Sequence, residues 1–471
     1  MTTGPVLKGP GCQGCPFASR SKFMVNDIIR PQSSVMIMGQ NPGREEELTG
    51  TPFVGKTGQV MEKFFFPLSG LTRDDVSIGN AVRCRVGDSN DLPELNGVDI
   101  RKALQHCHLA YFRPPEKLKV ILAQGMFALH ALTGKGIGPK HSLTHWRGYA
   151  LPLSPPWAGE AVPTSVWTPK PADIVVLPTW HLAGIMHEPD NEHSAKMDWA
   201  KLPRVRDGRW PRIPPPYRTD PLLTLAGEVS FDTEWDVNDP EKKLLRYSAA
   251  WGDQVRVVEA KDFQPIVLQG QSPTLIGQNW PVDMEAFQNL VFGLKLAWTP
   301  KGITFDDTMY MHSVLWPGLD HDLNFLGSIY SDINRWKHLA QVNPIEYSAM
   351  DAYGTLVAWS EMKREFARDS LSWDIYTRQM RPLIHMIYRA ETTGQRVDQE
   401  RVMAVHQGLK DRCEMLRRRA QAIAGWPLNI ASPAQVSRFL YNYERIGLKV
   451  LIHQERITRA APPGKPIERR S

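Results

Sequence analysis

Cysteine is scarce in this chain of 471 residues: there are five, an odd number. That excludes a scaffold of paired disulfides and fits a reducing compartment. Long apolar runs are missing as well. No stretch approaches the ~18 residues needed to span a bilayer, and Met1–Gly11 lacks the charged-then-apolar layout of a secretory signal. The expectation is a cytoplasmic protein with no membrane partner. One-sided charge is also lacking, with 56 basic against 50 acidic residues; the balance permits a nucleic-acid partner without demanding one. What remains is 42% apolar and 23% charged, a globular composition, and the length suits about three domains.

Four of the cysteines, Cys12, Cys15, Cys84 and Cys107, lie in the first quarter of the chain, two of them as C-x-x-C. Such clustering asks for a metal or an iron–sulfur cluster. Cys413 stands apart without a partner and reads as inert.

Apolar runs in the first 180 residues alternate with helical patterns. Strands are expected at Ser33–Met38, Val76–Ile78, Val120–Ala123 and Ile174–Leu177, and helices at Thr57–Leu68, Ile100–Phe112 and Met126–Leu132. That order implies an α/β fold with a mainly parallel, doubly wound sheet, whose ligands bind beyond the carboxyl ends of the strands. Three segments sit there: Gly39–Gly43, Asn80 and Thr179–His181.

In order, the motifs C-x-x-C-P-F, G-Q-N-P-G, G-T-P-F-V-G-K-T-G, G-N-A-V-R-C-R, a further Cys and P-T-W-H resemble the iron–sulfur (family 4) uracil-DNA glycosylases over roughly the first 190 residues. The resemblance implies a glycosylase-like parallel α/β sandwich over 1–205. It also implies a [4Fe–4S] cluster on Cys12, Cys15, Cys84 and Cys107, with zinc as the rival for the same thiolates. The implied chemistry is excision of a flipped-out uracil. Phe53 matches the position that stacks on the base, and Asn80 can read a uracil edge. Gln40 joins the uracil-binding set, Asn41 would orient a water, and His181 would hydrogen-bond the leaving uracil oxygen. Three features depart from the family. Gln40 and Asn41 stand where a Glu and a small residue are usual, and His181-Leu182-Ala183 replaces H-P-S. The segment between Cys84 and Cys107 is also longer than usual.

From Glu188 to Asp220 proline, arginine and tryptophan crowd together. The stretch reads as a connector without regular structure, with residues 206–221 as the Pro-rich linker proper. An apolar run, Leu222–Phe231, then delivers Asp232 and Glu234. Residues i and i+2 of a strand share a face, so the two carboxylates project together and call for a positive charge between them, most simply a divalent metal. Strands are expected at Arg246–Trp251 and Gln254–Val258. Phe305–Met309 is expected to be the beginning of a helical stretch, and Tyr347 and Asp351 fall on one helical face.

With G-Q-N followed by Asp283, with Asp307 in D-T-M, and with Y-x-x-x-D at Tyr347 and Asp351, this half resembles the 3′–5′ proofreading exonuclease of family A DNA polymerases. The resemblance implies a ribonuclease H-like domain over 222–368 and two Mg²⁺ or Mn²⁺ ions. Asp232, Glu234 and Asp351 would hold one, and Asp232 with Asp283 the other, while Tyr347 orients the attacking water. Oxygen ligands favour those ions over zinc.

Beyond residue 369, R-P-L at Arg381, E-x-x-G-x-x-V-D from Glu391 and N-I-x-S-P from Asn429 resemble the helical start of the polymerase region and its thumb. No D-Y-S, K…Y-G or H-D-E motif follows, so this chain is not expected to polymerise. A second chain carrying palm and fingers is one expected partner, as are single-stranded 3′ ends and uracil-containing DNA. The Pro-rich, basic Ala461–Ser471 suggests a truncated or split gene, and the fusion suggests phage or bacterial replication. The alternative is a non-catalytic DNA-binding scaffold or uracil sensor.

Overall fold

A computed structural model describes residues 6–87, 97–137, 142–158, 164–222, 224–236, 238–239, 243–287, 303–331 and 333–441. The chain forms two compact units, Met1–Thr393 and Gly394–Ser471. The long segment between Cys84 and Cys107 falls in part, and Ala461–Ser471 wholly, outside the described residues.

The first sheet has β1 (Val35–Gly39), β2 (Ser77–Asn80), β3 (Val120–Gln124), β4 (Leu151–Pro152) and β5 (Val175–Thr179), in the order β2-β1-β3-β5-β4. All neighbours are parallel except β4, which runs antiparallel to β5. Every residue of β1, β2, β3 and β5 is buried, as expected for strands covered on both faces. The alternation is visible in the two cores. Met36, Met38, Ile121 and Ala123 enter one, while Val35, Ile37, Val120 and Leu122 enter the other. The helix expected at Thr57–Leu68 is interrupted: Lys56–Val60 and Phe66–Ser69 flank a π-turn at Met61–Phe65.

The connector reading of Glu188–Asp220 is corrected by a fifteen-residue helix, Glu192–Arg206. Its sole proline, Pro203, lies in the last turn, and eleven proline-free residues precede it. Ala195, Trp199, Leu202 and Val205 recur at helical spacing and are buried against the first sheet. The prolines that follow masked this amphipathic signal.

The second sheet has β6 (Tyr217–Arg218), β7 (Thr224–Trp235), β8 (Leu244–Trp251), β9 (Gln254–Glu259), β10 (Val267–Gly277) and β11 (Thr304–Asp307), ordered β11-β10-β7-β8-β9-β6. The pairs β7–β8 and β8–β9 are antiparallel, while β10 joins β7, and β11 joins β10, in parallel. Phe305–Asp307, expected to open a helix, is thus the end of a strand, and the helix starts at Thr308. The helix Pro344–Phe366 packs across one face of the sheet. Pro344 sits at its start, and the Asn343 side chain accepts the Glu346 N–H at 3.3 Å, so the two residues together fix where it begins.

The first unit runs past residue 368. Tyr376, Ile384 and Tyr388 are buried in the cores of the second sheet, and Arg381 pairs with the buried Asp306 at 2.6 Å. In the second unit, Asp398 caps the helix Gln399–Ala424 and Gly425, at φ 72°, closes it. Pro433–Tyr441 follows, and Ala424, Leu428 and Phe439 form a small core. No described helix is long and apolar enough to cross a membrane.

Candidate functional site

β7 and the helix Pro344–Phe366 build the first site. Ser230, Asp232 and Glu234 alternate with Phe231 and Thr233 along β7. Phe231 enters the far core, whereas the Ser230 hydroxyl donates to the Ala352 carbonyl at 2.7 Å. The even-numbered face therefore meets the helix. There Asp232, Glu234 and Asp351 converge, with ligand oxygens all within 4.8 Å of one another. Among the described residues no other three His, Cys, Asp or Glu ligands come so close.

Burial and repulsion by neighbouring carboxylates push Asp232 and Glu234 up. Glu234 rises to about 7, and Asp232 rises well above the carboxylate range, with Asp351 its strongest repelling neighbour. The Asp232 Oδ2 is buried without a hydrogen-bond partner. A divalent cation suits such a set: hard oxygen donors, excess negative charge and one orphaned oxygen.

Asp283 does not join the trio. Its Oδ1 accepts the Thr233 N–H at 3.1 Å and the Thr233 hydroxyl, so it is tied to the strand residue that faces away from the helix. Asp307 caps its helix, accepting from Met309 N–H at 2.9 Å and from Trp280 N–H at 2.6 Å. Tyr347 lies beside Asp351, one helical turn earlier, and that carboxylate helps raise its phenol. Two residues that the sequence motifs did not reveal complete the site. The Lys337 Nζ lies 2.6 Å from Asp351 Oδ1 and 3.4 Å from the Tyr347 hydroxyl. The Trp336 indole N–H donates to the same Asp351 oxygen. Their signal lies in tertiary packing, since they precede the helix by several residues and match no motif.

A second site opens at the carboxyl ends of β1, β2, β3 and β5. Gln40, Asn41, Phe53, Asn80 and His181 all line one cavity of ≈ 450 Å³. Phe53 is held at φ 55°, a costly conformation for a bulky residue. Arg73 binds the carbonyls of Pro52 and Phe53, and Gly58 packs so tightly on the Phe53 carbonyl that a Cβ there would collide. At Gly39 a Cβ would lie 2.6 Å from Asn80 Oδ1, so the strand end must be glycine for ring and amide to approach. The Asn80 Nδ2 is buried without a partner. His181 accepts the Ala183 N–H on Nδ1 at 3.3 Å, and burial depresses its pKa to about 4. The Asn41 amide donates to the Pro42 carbonyl at 3.2 Å.

Cys12, Cys15, Cys84 and Cys107 line a third cavity. Burial pushes Cys84 up to about 11 and Cys107 up to about 12. Backbone N–H groups point at two of the sulfurs, Arg83 at Cys107 (3.4 Å) and Phe17 at Cys15 (3.5 Å). Zinc–thiolate bonds of about 2.3 Å would draw four sulfurs to about 3.8 Å of one another. No three of these do so within 4.8 Å. Four thiolates facing one cavity can hold either an iron–sulfur cluster or a zinc ion.

Residues 27–206 match the family model described as "Uracil DNA glycosylase superfamily". The type-4 uracil-DNA glycosylase of Sulfurisphaera tokodaii is 27% identical over 172 residues, covering 36% of this chain and 70% of the relative. The DNA polymerase I of Chloroflexus aurantiacus is 32% identical over 107 residues, 23% of this chain but only 11% of that protein. Among solved structures, Mg²⁺-bound NrnC of Brucella melitensis aligns at TM-score 0.30 and 16% identity over 37% of this chain and 94% of that one. A likeness of that size carries no weight for this chain.

Proposed function

Taking residues 27–206 as a domain of the uracil-DNA glycosylase superfamily, we propose that the chain joins two DNA-processing sites. One is a uracil-excising pocket on an iron–sulfur domain, and the other a 3′–5′ exonuclease of the family A polymerase type, followed by the start of a polymerase region. The observation that carries the exonuclease is the convergence of Asp232, Glu234 and Asp351 beside Tyr347. The antiparallel β7–β8–β9 meander flanked by parallel β10 and β11 supports a ribonuclease H-like domain.

Divalent ions bound at the carboxylates would supply the charge that activates water and steadies the leaving 3′ oxygen. The chain's own part is to hold Asp232, Glu234 and Asp351 on one face and to place the Tyr347 hydroxyl where it can orient the attacking water. Asp283, held by Thr233 yet close enough for its charge to raise Asp232, would share the second ion with Asp232.

In the glycosylase pocket, uracil stacks on Phe53 and pairs its edge with the Asn80 amide. His181 accepts a backbone N–H on Nδ1, so the neutral ring carries its proton on Nε2 and can donate to the departing uracil oxygen. A low pKa keeps that ring neutral near pH 7, so it stabilises the uracil anion by hydrogen bonding rather than by proton transfer. Ala183 follows His181 where a serine hydroxyl would grip DNA, and this favours a second reading in which the pocket binds uracil without excising it.

Purified protein is incubated with 3′-labelled single-stranded DNA and Mg²⁺, with Asp232→Ala as the control. Intact 3′ ends would remove the exonuclease reading. A uracil-containing strand treated with alkali after incubation should break at the uracil; an unbroken strand leaves only binding.

A further inference from the structure

The two halves of the first unit are joined by buried polar groups rather than by a loose linker. Arg147, held at 3.0 Å by the buried Asp198 of its own half, lies with its guanidinium 4.9 Å from the ring centroid of Phe325 in the other. Lys201 donates to the Gly148 and Ser328 carbonyls, and the Tyr149 hydroxyl donates to the Asn324 carbonyl at 2.6 Å. Buried charges of this kind are costly without partners, so the contact is sensitive to loosening.

One four-residue stretch runs from this interface into the carboxylate site. The Asn334 amide makes two hydrogen bonds to the backbone of Ala150, at 3.0 and 2.8 Å. The Arg335 Nε donates to the His145 carbonyl at 3.0 Å, and its guanidinium lies 4.3 Å from the Trp146 ring centroid. The next two residues, Trp336 and Lys337, both donate to Asp351 Oδ1. Trp336 has no slack. A Cβ on Gly327 or Gly354 would come within 2.7 or 2.6 Å of its ring, and the ring is fully buried.

We propose that Asn334–Lys337 couples the two halves: the glycosylase-like half fixes Asn334 and Arg335, and through them sets Lys337 against Asp351, tuning how the carboxylates take up metal. This rests on the exonuclease reading of the site. Lys337 is a positioning residue. Its ammonium neutralises part of the charge of Asp232, Glu234 and Asp351 when no divalent ion is present, and it competes with such an ion for Asp351. Seating the nuclease half on its neighbour therefore holds its metal affinity down, because it keeps Lys337 on Asp351.

The test uses the full chain and Mn²⁺ alone, with binding read by electron paramagnetic resonance of free Mn²⁺ and no DNA present. Lys337→Met should bind Mn²⁺ about tenfold more tightly, because a competing unit charge is gone. Asn334→Ala with Arg335→Ala should shift the midpoint in the same direction, and should add little in the Lys337→Met background. An unchanged midpoint in the Asn334/Arg335 variant, or an equal shift with and without Lys337, overturns the coupling. If the double variant does not fold, Arg335→Lys keeps the charge, loses the Nε bond to His145, and should give the same shift in smaller measure; no shift there overturns the proposal equally. Wild-type chain that binds Mn²⁺ without digesting 3′ ends would remove the exonuclease reading, not the coupling.

Discussion

The Nδ1 of His181 accepts a hydrogen bond from the backbone N–H of Ala183, two residues on, at 3.3 Å. A backbone N–H can only donate, so the tautomer of the neutral ring is fixed by the local turn rather than by a distant partner. Burial alone depresses the ring to about 4. His181 should therefore contribute no inflection to a uracil-excision profile between about pH 5.5 and 8, and His181→Ala should slow excision about a hundredfold to a thousandfold. A single-turnover pH series on a uracil-containing strand checks both. An inflection near pH 6.5 that vanishes in the variant would mean the ring titrates.

Asn80 makes a different prediction because it lines that pocket and its amide Nδ2 is buried without a partner. Closing it on a base edge recovers a bond whose absence costs about 1–3 kcal/mol. Asn80→Ala should weaken binding of free uracil by about ten- to a hundredfold while leaving thermal stability nearly unchanged. Isothermal titration with uracil against cytosine measures it; equal loss for both bases would count against edge reading.

The carboxylate pair on β7 was legible from sequence, because strand alternation places Asp232 and Glu234 together whatever surrounds them, and Asp351 one turn after Tyr347 follows from helical spacing. Asp283 was not legible. Its spacing from G-Q-N says that it lies near β7, but only the fold shows that Thr233 holds it while its charge still reaches Asp232. Lys337 and Trp336 were invisible for a related reason: their meaning comes from Asn334 and Arg335, which are anchored by a domain almost two hundred residues earlier. The helix Glu192–Arg206 was legible in principle, through Ala195, Trp199, Leu202 and Val205, and was hidden by the prolines beyond it.

Stability should depend on pH and metal together. The Glu234 pKa is about 7 in the folded chain, above the ordinary glutamate value, and Asp232 is raised too. Between the unfolded and folded values the folded state binds more protons, so the contribution is present below the unfolded pKa and is lost as pH rises through about 7. The metal-free chain then carries mutually repelling carboxylates at pH 8. A divalent ion that binds only the folded state reverses this, by about 2.7 kcal/mol at a hundredfold excess over Kd. Mg²⁺ or Mn²⁺ should raise Tm more at about pH 8 than at about pH 5.5, and Asp232→Ala should abolish the difference. Scanning calorimetry at the two pH values decides it.

The cysteine cavity yields the last prediction. With Cys84 raised to about 11 and Cys107 to about 12 by burial, the thiols are protonated at neutral pH unless a cationic centre stabilises the thiolates, so loading must release protons and should weaken as pH falls. The four sulfurs face one cavity, in the C-x-x-C, Cys, Cys order of the iron–sulfur glycosylases. Protein prepared without oxygen should therefore be brown and carry about four irons per chain. Cys84→Ala should lose the visible absorbance and fold less stably, because Phe17 and Met24, packed near the cluster loop, depend on its anchoring. Nuclease activity at the distant carboxylates should fall less than the visible absorbance does. Stoichiometric zinc with no iron would overturn the cluster reading and leave the same four thiolates as a zinc site.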